Sequence, residues 1–81
     1  MNNDFEIDFF SDCRYEEITM EISYRGQILC QLNKDKGLNN IEIEFFSDAR
    51  KLVEQPEMKF SLSSFLKVIA QATTELKGLP E

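Results

Sequence analysis

Apolar and polar residues alternate strictly from Phe5 to Phe10, with Phe5, Ile7 and Phe9 on one side and Glu6, Asp8 and Phe10 on the other. A period of two over six residues predicts a half-buried strand. Ser11-Asp12 interrupts it, since both side chains compete for backbone hydrogen bonds and favour turns. Alternation resumes through Ile18, Met20, Ile22 and Tyr24, and again through Ile28, Cys30 and Leu32. Arg25-Gly26 separates these two runs, and a two-residue connection containing Gly predicts a tight hairpin. A polar loop, Lys34 to Asn40, leads to a near-copy of the opening stretch. Phe5-Glu-Ile-Asp-Phe-Phe-Ser-Asp12 and Ile41-Glu-Ile-Glu-Phe-Phe-Ser-Asp48 agree at six of eight positions, 36 residues apart. The second copy predicts a fourth strand.

The pattern then changes period. Leu62, Phe65, Leu66, Ile69, Ala72 and Leu76 recur at spacings of three and four, the stripe of an amphipathic helix. Ser61 suits its N-cap, Phe60 and Phe65 are placed for a hydrophobic staple, and Lys77-Gly78 with Pro80 forms a stop. Residues 47–60 lack a period and contain Pro56, which suggests a crossing segment with a helical turn at 49–54. The expected elements are strands at about 5–10, 17–24, 27–33 and 41–46 and a helix at about 62–77. They form one α+β domain over residues 1–81: a four-stranded antiparallel β-meander with one C-terminal amphipathic helix packed on one face.

A single helix covers one sheet face. The predicted inward set is Phe5, Ile7, Phe9, Met20, Ile22, Ile28, Cys30, Leu32, Ile41, Ile43 and Phe45. The other face would carry Glu6, Asp8, Glu21, Glu42 and Glu44, with Thr19, Ser23, Leu29, Gln31, Phe10 and Phe46 among them. Five acids without a base set like charges across neighbouring strands, which destabilises a sheet by tenths of a kcal/mol per pair. A basic partner accounts for that tolerance, and Phe10 and Phe46, if they stay on this face, are its aromatic anchors. The bland reading of each carboxylate is a solvated sheet face, and of each Phe an inward turn at the strand end.

Charge sharpens this picture. Residues 1–48 hold eleven acids and four bases, a net of −7, whereas residues 49–81 are +1. Such a field repels nucleic-acid phosphates and anionic membranes and attracts basic proteins. The N-terminus, Met-Asn-Asn-Asp, has no secretory pattern, and no apolar run approaches a membrane span, so a cytoplasmic protein is expected. Cys13 and Cys30 are expected as free thiols, Cys30 in the core. The chain has no His, no Gly-rich phosphate loop and no metal-ligand spacing, so neither catalysis nor a cofactor is expected.

One stretch has a family likeness. Phe9-Phe-Ser-Asp-Cys-Arg-Tyr-Glu-Glu-Ile-Thr-Met-Glu-Ile22, with Tyr24-Arg-Gly-Gln-Ile28 and Ile41-Glu-Ile-Glu-Phe45, resembles small immunity proteins of bacterial contact-dependent growth inhibition and related polymorphic toxin systems. Cys13 stands where those sequences are expected to carry Pro. The resemblance spans about residues 5–46. It implies a non-enzymatic toxin inhibitor that binds a cognate basic toxin domain, often a nuclease, and blocks its active site. Together with the outward face, the candidate toxin-binding residues are Glu6, Asp8, Phe10, Asp12, Tyr15, Glu17, Glu21, Glu42, Glu44 and Phe46. A four-strand face measures roughly 19 by 20 Å, about half of the ~800 Å² a standard interface buries per partner. Loops 12–17 or 33–40 would therefore have to contribute. The alternative class is a small structural or adaptor domain that homodimerises through an edge strand, since both copies of the repeat lie at sheet edges.

Overall fold

The computed structural model describes residues 4–45 and 57–79. Among these residues four strands, β1 (Phe5–Phe10), β2 (Thr19–Tyr24), β3 (Gln27–Asn33) and β4 (Glu42–Phe45), precede one helix, α1 (Leu62–Lys77). The strands form one antiparallel sheet in the order β1-β2-β3-β4, and α1 packs on one face of it. The predicted α+β meander is the observed fold. Phe46 and the helical turn expected at 49–54 lie outside the described residues.

Local chemistry explains the element ends. Arg25 and Gly26 both adopt positive φ (48° and 85°), the backbone of a two-residue hairpin turn whose twist matches the flanking strands. β2 starts at Thr19 rather than at residue 17, because the Glu16 and Glu17 amides donate to the Asp35 carboxylate at 3.0 and 3.1 Å. Ser61 Oγ accepts from the Ser64 amide at 3.3 Å, and the Phe60 and Phe65 rings stand 5.5 Å apart, so both the N-cap and the staple are present.

The core differs from the predicted one in three places. Ile22 pairs with Cys30 but Ser23 pairs with Ile28, so Leu29 is an extra residue in β3. This bulge reverses parity beyond it. Ile28, expected inward, is registered opposite outward Ser23, and Leu29, expected outward, packs against the core. On α1 the buried line is Val68, Ala72 and Leu76, whereas Leu62 and Leu66 are 70% and 55% exposed. At roughly 100° per residue those two leucines stand about 80–120° around the helix from that line. Finally, α1 packs on β2, β3 and the Phe5 end of β1, and leaves the Phe9 end of β1 and the helix side of β4 largely uncovered. Phe9, Ile43 and Phe45 share the helix-side face but remain 58%, 45% and 64% exposed.

Lys34 ties the end of β3 to the helix. Its side chain is buried, and Nζ donates to the Leu79 carbonyl at 2.7 Å, just past the C-terminus of α1. An ammonium there satisfies a carbonyl and opposes the negative end of the helix dipole. Lys34→Ala is expected to lower the unfolding free energy by about 1–3 kcal/mol, measured by urea denaturation. An unchanged midpoint would remove this clamp from the fold.

Candidate functional site

The outer face is organised by one cross-strand row. Asp8 pairs with Glu21, Glu21 with Gln31, and Gln31 with Glu44, so one line through all four strands carries three carboxylates. Glu6 lies beside it on β1, opposite Ser23. Phe10 ends the same face of β1, partly buried, opposite Thr19, whose hydroxyl donates to the Phe10 carbonyl. Glu42 faces Asn33 at the other corner.

A base does reach this face, contrary to the all-acid surface predicted from parity. The loop between β1 and β2 folds over the β3–β4 half and delivers Arg14. Its guanidinium bridges Asp12 (Nη2–Oδ2 2.8 Å) and Glu44 (Nη2–Oε1 2.9 Å, Nη1–Oε2 3.1 Å). The Tyr15 hydroxyl donates to Glu44 Oε1 at 3.0 Å, and Gln31 Nε2 donates to Asp12 Oδ2 at 3.1 Å. Gln31 Oε1 is buried without a hydrogen-bond partner among the described residues. The loop adopts this path for local reasons. Asp12 Oδ1 accepts from the Arg14 amide at 3.0 Å, an Asx-type turn, and Asp35 holds the loop's far end through the amides of Glu16 and Glu17.

Electrostatics follow this geometry. Hydrogen bonds from Arg14 hold the Asp12 carboxyl well below the usual carboxylate range. Arg14, assisted by the Tyr15 hydroxyl, lowers Glu44 as well. Burial and the bond to Glu44 push Tyr15 up. Lys36, 3.0 Å from Glu42, lowers that carboxyl. Carboxyls with depressed folded values stabilise the fold above their unfolded values and lose that contribution as pH falls through the folded ones. Urea midpoints should therefore decline as pH drops below the ordinary Glu value of 4.5. Arg14→Gln should flatten that decline; an unchanged slope would remove the bridge from the account.

The predicted contact residues thus divide into groups. Asp12, Tyr15 and Glu44 meet around Arg14, and Glu42 is held by Lys36. Glu17 lies in the loop rather than in a strand, and Glu21, on the central strand, is nearly buried. Phe46 is outside the described residues. Glu6 and Asp8 are exposed on β1 and form no ion pair among the described residues. The residues missed by pattern reading are Arg14, Gln31, Asp35 and Lys36. The one available signal was that Arg14 is the sole base before residue 25, flanked by Asp12 and Glu16.

Cys13 is exposed, while Cys30 is buried in the core, which pushes its thiol up to about 11. Among the described residues, no group of three or more His, Cys, Asp or Glu could hold a metal ion, and no helix is long and apolar enough to cross a membrane. Comparison with protein-family models, characterised proteins and solved structures finds no match in any of the three.

Proposed function

We propose that this chain is an immunity protein that binds a cognate toxin domain, a basic nuclease in the simplest case, and occludes its active-site groove. The observation that carries the reading is the unequal neutralisation of the outer face. The β4 half is compensated internally by Arg14 and Lys36, whereas Glu6 and Asp8 on the β1 half stay exposed with no cation beside them among the described residues. Asp8 also stands directly opposite Glu21, so an external base beside Asp8 would meet a second carboxylate one strand away. A groove that holds nucleic-acid phosphates is lined by Lys and Arg, so it offers that base.

The inhibitor works by occupancy, with no catalytic step and no cofactor, in the cytoplasm where an incoming toxin would act. Protection at low copy number requires a Kd near nanomolar, about −12 kcal/mol. The folded-over loop at residues 11–18 adds area to the sheet face, toward the ~800 Å² per partner of a standard interface. The test is co-expression with the C-terminal domain of a large secreted protein encoded immediately upstream. Restored growth is the expected result. Growth arrest despite soluble chain, or no such upstream gene, contradicts the proposal.

A second reading rests on a different observation. β4 is an edge strand whose helix-side residues Ile43 and Phe45 are largely exposed and whose carboxylates are already paired. That edge suits homodimerisation, as in a small adaptor domain. A dimer in sedimentation at micromolar concentration, dispersed by Phe45→Glu, would favour it.

A further inference from the structure

The open side of β1 is defined by the hydrogen-bond phase of the sheet. The Arg25 amide donates to the Asp4 carbonyl at 2.8 Å, one step beyond the Phe5–Tyr24 pair. Hydrogen-bonded and non-hydrogen-bonded pairs alternate in an antiparallel ladder. The β1–β2 register runs without a shift from Phe5–Tyr24 to Phe10–Thr19. Glu6, Asp8 and Phe10 therefore turn their backbone groups toward β2. Phe5, Ile7 and Phe9 turn theirs to the side where, among the described residues, no strand pairs.

We propose that a basic strand of the partner pairs with this open edge of β1, setting Lys or Arg at alternate positions beside Glu6 and Asp8. The proposal rests on the partner-binding reading above and specifies how the partner is held. Three features favour it. First, β1 carries none of the usual guards of an exposed edge, having no Lys, Pro, Gly or bulge. Among the described residues its guard is negative charge, which a basic strand does not feel as repulsion. Second, that charge disfavours a second copy. Two β1 edges in antiparallel pairing would bring the acids of one against those of the other, a destabilising arrangement. Third, β4, the competing edge, has four residues and carboxylates already held by Lys36 and Arg14, so it offers a basic strand no uncompensated charge. On the helix side, an apolar residue of the added strand would cover Phe9, which the fold leaves exposed at the edge.

The experiment uses the whole chain and the peptide Lys-Val-Lys-Val-Lys-Val-Lys as probe, read by amide hydrogen exchange and chemical shifts. In the free protein the Ile7 and Phe9 amides should exchange quickly and those of Glu6 and Asp8 slowly. The peptide should slow Ile7 and Phe9 exchange about tenfold or more, an effect weakened by salt and absent with the Glu-Val counterpart. Phe9→Pro deletes an outward donor at a position where an edge strand tolerates proline. It should keep the far-UV spectrum and bind the peptide about tenfold or more weakly, the loss of a backbone bond plus blocked pairing. If that variant does not fold, Glu6→Lys with Asp8→Lys gives the same readout without touching the backbone. Peptide shifts confined to β4, unprotected Ile7 and Phe9, or full binding by Phe9→Pro would overturn the proposal. Protection of the β1 edge by peptide with no toxin neutralisation would sink the immunity reading alone. Neutralisation with β1 amides unprotected would sink the edge pairing alone.

Discussion

Ile22→Ala is expected to lower the unfolding free energy by about 2–5 kcal/mol, as for other fully buried aliphatic truncations. Ile22 has no exposed surface and lies between Ile7 and Cys30, on the central part of the sheet under α1. A chain of 81 residues has about 4–12 kcal/mol in total, from roughly 0.05–0.15 per residue. The substitution therefore removes a large share of it, and at about 4–8 °C per kcal/mol the melting temperature should fall by ten degrees or more. The matched control is Phe45→Ala, at the exposed end of the same cross-strand row. It should change stability by less than about 0.5 kcal/mol. Equal effects at the two positions would mean that the helix covers the sheet differently.

That contrast marks where pattern reading stops. Alternation and helical spacing located the strand Phe5–Phe10, the Arg25-Gly26 hairpin and the helix Leu62–Lys77, because each rests on local periodicity and local caps. They also placed Phe45 with Ile22, since parity reports a face and not what lies over it. One helix is narrower than four strands, so Phe9, Ile43 and Phe45, beyond its reach on the covered face, stay exposed. The bulge left no trace because Ile28 and Leu29 are both apolar, and either can occupy either side. Val68 was overlooked for a related reason. Apolar residues fill more than half a turn of α1, and only docking selects which line faces the sheet. The candidate site was legible as an acidic strand face. Its neutralised half was not, because Arg14 arrives by a loop path fixed by Asp12 and Asp35, contacts 2 to 19 residues apart that no period encodes.

The second large effect concerns binding. Glu6→Lys with Asp8→Lys should weaken binding of the proposed toxin partner by about a hundredfold or more, since each reversed charge replaces an attraction by a repulsion worth at least ~1.4 kcal/mol. The fold should survive it. Both side chains are exposed, neither holds an ion pair among the described residues, and a lysine at position 8 would face Glu21. Glu44→Lys is a poorer probe. It breaks the Arg14 bridge and the Tyr15 hydrogen bond, so lost activity would be mixed with altered structure. Reversing Glu42, held by Lys36, should change affinity only a few-fold. A melting temperature of the double variant far below that of the unaltered chain would contradict the assignment of Glu6 and Asp8 as free surface charges.

The decisive measurement is calorimetric titration of the proposed toxin, the purified C-terminal domain encoded immediately upstream, into this chain at about 50 and 300 mM salt, where screening lengths differ by more than twofold. One-to-one binding near nanomolar Kd is expected at low salt, weaker at high salt, lost with Glu6→Lys/Asp8→Lys and kept with Glu42→Lys. Binding that ignores salt and both variants, or no binding by folded protein, would contradict it.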